Sequence, residues 1–237
     1  MNNYLKQSLT TLWKQVLHVN GPRRFEEIIG HNDIKLIFNK AKLSDRPIHI
    51  LLVGKPGSAK TMFLTEIMHS IKDSYFIVGS NSTKAGLVNQ LFEKKPKCLL
   101  IDELDKMKGN DQTSLLHLME TGIISETKFR KTRQIELTSR VFATANNCEK
   151  IIEPLLSRFV VLEVPEYSVE EFTDIAISRL AEEKVNKHLA IIIAEKVWTE
   201  LGSRDIRDVI KVGRLTNDSR EVSLIIRMLK KRQNSGV

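Results

Sequence analysis

A chain of 237 residues, 41% apolar and 28% charged, is long enough to bury a core of its own, which excludes a disulfide-stapled miniprotein and a disordered tail. Its 37 basic against 29 acidic side chains leave a net charge of +8, a balance suited to a polyanionic partner. No apolar run approaches the ~20 residues of a membrane-spanning helix, and Cys98 and Cys148 stand too far apart for a metal knuckle. With no signal-peptide pattern at the start, the expected location is cytoplasmic or nucleoid-associated, with no membrane partner.

In chain order, residues 1–22 carry Leu5, Leu9, Leu12, Trp13, Val16 and Leu17 at helical spacing before Asn20-Gly21-Pro22, which predicts an N-terminal amphipathic helix. Residues 23–165 alternate short β-rich runs with helical stretches. Ile48–Val53, Tyr75–Val78, Cys98–Ile101, Val141–Thr144 and Phe159–Val164 read as strands, with helices over Thr61–Ile71 and Gln112–Glu120. Continuous rather than alternating hydrophobicity predicts strands buried on both faces, hence a parallel sheet in a three-layer αβα sandwich. After Pro165 the strand signals stop. Val169–Glu183, Ala190–Glu200, Asp205–Leu215 and Arg220–Lys231 predict a small all-α domain over residues 166–237.

The run Gly54-Lys55-Pro56-Gly57-Ser58-Ala59-Lys60-Thr61 follows the first strand and opens a helix, the context of a P-loop. Its amides would curl around the β-phosphate of ATP, Lys60 would reach the β- and γ-oxygens, and the Thr61 hydroxyl would ligate Mg²⁺. Ala59 stands where the pattern has glycine, and a methyl is accommodated there if the backbone is helical, so helical φ is expected of it. Further on, Cys98-Leu99-Leu100-Ile101 ends in Asp102-Glu103, a buried strand delivering two carboxylates to the sheet edge where α/β folds bind ligands. Asp102 is the expected Mg²⁺ ligand and Glu103 the general base that polarises the attacking water.

These residues resemble the AAA+ ATPases over about residues 23–215, and the resemblance implies a P-loop NTPase fold with a helical lid. Phe25-Glu26-Glu27-Ile28-Ile29-Gly30-His31 is similar to the segment that closes over adenine, which implies Ile29 and Gly30 near the base. Val141-Phe142-Ala143-Thr144-Ala145-Asn146 is similar to the sensor-1 strand, with Asn146, or else Asn147, orienting the water. Ile151–Phe159 resembles the arginine-finger segment of clamp loaders and replicative helicases, which implies that Arg158 reaches the nucleotide of a neighbouring subunit in a hexamer or other ring. Gly202–Asp208 resembles sensor 2, with two candidates: Arg204 on the helicase pattern, taken first, and Arg207 on the clamp-loader pattern.

Asp102–Met107, Leu115–Glu120 and Gly122–Lys128 further resemble the minichromosome-maintenance helicase core, whose clade, like the bacterial Holliday-junction branch-migration motor, carries a β-hairpin before sensor 1. Ile123–Thr127 and Gln134–Leu137 are its expected strands here. The expected tip carries Lys128, Arg130, Lys131 and Arg133 around Phe129, cations for DNA phosphates and one ring for a base. The resemblance thus implies an ATP-driven DNA motor. Counterparts of the helicases' N-terminal DNA-binding domain and of the branch-migration motor's C-terminal winged helix are not expected in this chain, so a loading or targeting protein is an expected partner. Two other readings stand beside it: a protein remodeller built on the same core, and a slow ATP-binding switch in a larger assembly. Against remodelling by threading, Gly79–Gly86 holds no aromatic residue.

Overall fold

The structure, a computed structural model, describes Phe25 and residues 28–128 and 131–234. The expected helix in residues 1–22 therefore lies outside the described residues, as do Phe129 and Arg130 at the expected hairpin tip. Five strands form one parallel sheet: β1 (Ile50–Val53), β2 (Ser74–Val78), β3 (Cys98–Asp102), β6 (Arg140–Ala145) and β7 (Val160–Glu163), in the spatial order β2-β3-β6-β1-β7. Two more, β4 (Ile123–Lys128) and β5 (Lys131–Glu136), pair antiparallel in a separate hairpin.

The sheet is a sandwich filling because its strands alternate apolar side chains to both faces. Leu51, Leu99, Ile101, Val141 and Ala143 point to the side covered by α3 (Lys84–Lys94) and α4 (Gly109–Thr121). Ile50, Leu52, Leu100 and Phe142 point to the other, where α1 (Asn32–Leu43) supplies Phe38 and α2 (Lys60–Ser70) supplies Phe63, Leu64 and Ile67. Each of the Val, Leu, Ile and Phe side chains among these, fully buried, contributes about 1.5–3 kcal/mol. Burial on both faces holds for the central strands but not for the edges: Val160 and Val161 of β7 are each 44% exposed, because β7 is the last strand of the sheet.

Two helices of the sandwich, α1 and α3, are absent from the sequence reading. α3 buries only Leu87, Val88 and Leu91, and starts where the Thr83 hydroxyl accepts from the Gly86 amide. After β7 and the four-residue α5 (Glu153–Leu156) that precedes it, the chain is helical. α6 (Val169–Glu182) opens on a capping box between Ser168 and Glu171, followed by α7 (Lys187–Lys196), α8 (Ile206–Leu215) and α9 (Ser219–Asn234). They close on a core of Phe172, Leu180, Ile193, Val209, Val212 and Ile226. The helix expected over Ala190–Glu200 breaks early, into a π-helical turn over Val197–Leu201 that ends at Gly202, φ 74°. No described helix is long and apolar enough to cross a membrane.

The strand order sets the site. β1 and β3 flank β6, so the chain leaving β1, the acids ending β3 and the end of β6 meet at one carboxyl edge.

Candidate nucleotide site

The loop Gly54–Ala59 leaves β1 with the Gly54 amide donating to Ala145 O at 3.2 Å, and turns at Gly57, φ 85°, into α2. Ala59 has φ 61° and ψ 7°, left-handed rather than the helical backbone expected of it. That conformation costs an alanine about 1 kcal/mol, which its packing against both the sandwich and lid cores offsets. Lys60, the first residue of α2, is buried beneath the loop, its Nζ donating to the carbonyls of Gly54 at 2.6 Å and Lys55 at 2.7 Å. Burial pulls its pKa below the usual lysine value, against the opposing charges of Asp102 and Asp105.

The Thr61 hydroxyl stands 3.0 and 3.2 Å from the two carboxylate oxygens of Asp102. A hydroxyl and a carboxylate meeting at a helix N-terminus are hard oxygen donors that fit Mg²⁺, and no cluster of three or more His, Cys, Asp or Glu side chains suited to a metal occurs among the described residues. Glu103 follows with φ 56° and ψ 51°, a left-handed carboxylate residue at the turn. The buried Thr144 hydroxyl donates to Asp102 Oδ1 and accepts from the Glu103 amide at 3.0 Å. Asn146, just past β6, lines the same cleft of about 600 Å³, together with Gly57, Lys60, Thr61, Asp102, Glu103 and Arg207. Asn147 is exposed and its Oδ1 accepts from the Glu149 amide, a turn contact, so Asn146 is the better placed of the two.

The lid closes the cleft through one stretch. Asp205 caps α8, accepting from the Arg207 amide at 2.9 Å, and packs on the P-loop so closely that a Cβ at Gly57 would lie 3.1 Å from its Cα. Burial would raise the Asp205 carboxyl, but hydrogen bonds from Arg207 outweigh it and hold the pKa below the usual aspartate value. The two sensor-2 candidates part here. Arg207 lines the cleft, whereas Arg204, taken first on the sequence pattern, turns away: its guanidinium lies 3.5 Å from the Trp198 ring centroid and donates to the Trp198 carbonyl at 3.0 Å. The π-helical turn, which presents both ring and carbonyl, is the physical reason.

Ile29 packs against the lid core, and Gly30, φ 71°, passes so close to Glu171 that a Cβ would strike Oε1. Arg158 is exposed on the surface outside the cleft, 2.7 Å from Glu120. Of the expected hairpin cations, Lys128 and Lys131 end the two strands opposite one another, so the strands run further toward the tip than expected. Arg133 is no tip residue. Its guanidinium sits 4.1 Å over the Phe92 ring, bonds Asn89 of α3 and pairs with Glu126 at 2.6 Å.

The sequence reading missed Thr144 and Asp205 as members of the site. A threonine in a β-rich run reads as a strand former and an aspartate before a helix as a cap, so the pattern carried no signal for the first and only a capping signal for the second.

Comparison with known proteins agrees with this geometry. Residues 50–166 match the family model "ATPase family associated with various cellular activities (AAA)". The chain is 27% identical over 226 residues to the DNA replication licensing factor mcm2 of Schizosaccharomyces pombe, covering 74% of this chain and 27% of that protein. It is 30% identical over 190 residues to the Lon protease of Mycoplasmopsis agalactiae, covering 66% of this chain and 19% of that one. The chain thus spans about a quarter or less of these relatives' length. Among solved structures, the Thermotoga maritima RuvB Holliday junction branch migration motor superposes with a TM-score of 0.62 at 23% identity, over 81% of this chain and 63% of that one. Sequence motif, strand order and family match converge: residues 50–166 are an ATPase domain of the AAA family.

Proposed function

We propose that this chain hydrolyses ATP in a Mg²⁺-dependent reaction, and that hydrolysis drives an oligomeric assembly, a hexamer or other ring, acting on DNA. The observation that carries the chemistry is the meeting of Thr61 with Asp102 beside a buried Lys60 at one helix N-terminus. The loop amides and Lys60 bind the phosphates, and Thr61 and Asp102 hold Mg²⁺, which when bound offsets charge on the phosphate oxygens. Glu103 accepts a proton from the attacking water, Asn146 orients that water, and Arg207 answers the charge developing on the γ-phosphate. Arg158, exposed and in surface contact with Glu120 and Ser157, serves the nucleotide of a neighbouring copy.

Support for DNA comes from the β4–β5 hairpin with Lys128 and Lys131 at its end, the net charge of +8, and relatives named for DNA replication licensing and Holliday junction branch migration. The Lon protease match favours a second reading, in which the same core acts on a protein.

The test is steady-state ATP hydrolysis at stated salt, with and without single-stranded, duplex and four-way-junction DNA. It compares the native chain, a variant with Lys128, Arg130 and Lys131 changed to alanine, and Lys60→Ala as the blank. DNA stimulation that the hairpin variant loses, with its basal rate kept, is the expected result. Hydrolysis indifferent to every DNA would overturn the DNA reading and turn the search to protein partners.

A further inference from the structure

We infer that Thr144 is a positioning residue that sets the Asp102 carboxylate and the Glu103 backbone together, with Gly79 as its counterpart on the opposite side of β3. The inference rests on the roles proposed above for Asp102 and Glu103, and assigns what holds them.

Pairing of β3 with β6 ends at Ile101 opposite Ala143, so the Glu103 amide lies beyond the last paired residue on that side. It is half-buried, and a buried amide without a partner is costly. The Thr144 side chain, 1% exposed, takes the place of the missing ladder bond by accepting from that amide at 3.0 Å. Its own proton goes to Asp102 Oδ1, while Asp102 Oδ2 is the oxygen nearer Thr61, at 3.0 Å. One hydroxyl therefore holds Oδ1, itself 3.2 Å from the Thr61 hydroxyl, and leaves Oδ2 as the oxygen nearer the P-loop. Donating to a carboxylate also strengthens the same oxygen as an acceptor for the Glu103 amide.

From the other flank, the chain leaving β2 meets the same turn. A Cβ on Gly79 would lie 2.2 Å from Glu103 O and 3.3 Å from Asp102 O, so only a residue without one lets the backbones approach. Glu103 is thus held at φ 56° between neighbours on both sides. A left-handed non-glycine residue persists where its surroundings over-determine it, and here they are Thr144 and Gly79. Serine keeps the hydroxyl; valine keeps the shape and loses it.

The experiment compares Thr144→Val, Thr144→Ser and Gly79→Ala with the native chain by three readouts: Mg²⁺ dependence of turnover, affinity for a fluorescent ATP analogue in EDTA and in Mg²⁺, and amide hydrogen exchange at Glu103. In the native chain the Glu103 amide is expected to be protected, and fast exchange there overturns the inference without any variant. Thr144→Val is expected to leave the affinity in EDTA unchanged, to raise the Mg²⁺ needed for half-maximal turnover by about 10–100-fold, and to unprotect the Glu103 amide, with Thr144→Ser restoring all three. Gly79→Ala is expected to slow turnover and unprotect the same amide while leaving the affinity in EDTA intact. If Thr144→Val keeps the native Mg²⁺ requirement and the protected amide while Glu103→Gln still abolishes turnover, the positioning role is wrong and the reading of the site survives. If Glu103→Gln turns over normally, both fail.

Discussion

The two edges of the sheet use their polar groups in opposite ways. At the carboxyl edge, Lys60, Thr61, Asp102, Glu103, Asn146 and Arg207 all border one open cleft. At the amino edge, where the hairpin is rooted, polar side chains are bound to the protein itself. His49 Nδ1 accepts from the Val141 amide at 3.0 Å, the Ser139 hydroxyl donates to Pro96 O, and the Arg140 guanidinium donates to the carbonyls of Ala41 and Ser44. Both edges are rich in charge; at the carboxyl edge these groups line the cleft, whereas His49, Ser139 and Arg140 at the amino edge are engaged with the backbone. Substitutions at the first edge should therefore move chemistry and leave stability, and substitutions at the second should do the reverse.

The largest effect expected is at the carboxyl edge. Glu103→Gln keeps the shape and removes the base, so turnover should fall by about 10²–10⁴-fold with nucleotide binding retained, checked by hydrolysis rate against binding of a fluorescent ATP analogue. A parallel loss of thermal stability would break the contrast between the edges.

At the amino edge the next effect is one of pH. Burial, reinforced by the Arg140 charge, lowers the His49 pKa from 6.5 to about 4. The unfolded chain binds a proton first as pH falls, so the contribution of neutral His49 is whole above pH 6.5 and is lost progressively toward pH 4. That amounts to about 3 kcal/mol. Urea unfolding at pH 7 and pH 4.5 should show the loss, and His49→Gln should show a smaller difference between the two. Equal pH dependence in both proteins would remove His49 from the explanation.

The two lid arginines sharpen the contrast within one segment. Arg204→Ala removes a cation–π contact and a donor to the Trp198 carbonyl, and should cost about 1–2 kcal/mol of stability. Arg207→Ala, which removes an exposed guanidinium paired with Asp205, should leave the melting temperature in place and lower turnover. If Arg204→Ala instead slows turnover at unchanged stability, the assignment of the two is reversed.

Why the sequence distinguishes some of this and not the rest follows from where each constraint acts. Ile50–Val53, Cys98–Asp102 and Arg140–Ala145 are legible as central strands because burial on both faces demands unbroken apolar runs, and the P-loop because its backbone turn demands Gly57. Asp102 and Glu103 are legible because they break the apolar run where β3 ends. Ala59 is not, since alanine by itself favours right-handed backbone and only packing against two cores holds it otherwise. Arg204 and Arg207 each fit a pattern, and what separates them is Trp198, which reaches Arg204 through a π-helical turn that helical periodicity does not anticipate. Thr144 is silent for the same reason: its contacts, Asp102 and Glu103, are distant in sequence and close only across the sheet.

The smallest effect concerns the hairpin. A charge run at a hairpin tip reads as a set of equivalent cations, yet Arg133 lies over Phe92 and pairs with Glu126, so it fastens β5 to α3 while Lys128 and Lys131 end the strands. A partly exposed cation–π contact and ion pair together are worth about 1 kcal/mol, the pair discounted for solvent screening. Arg133→Ala should therefore lower the melting temperature by about 2–4 °C, with basal ATP hydrolysis unchanged because no atom of the cleft is involved. Phe92→Leu removes the ring and keeps an apolar side chain; combining the two should cost less than their sum, since both delete one contact. Additive losses would mean that Arg133 and Phe92 act separately, and a DNA response lost in Arg133→Ala at unchanged stability would return Arg133 to the DNA-facing set.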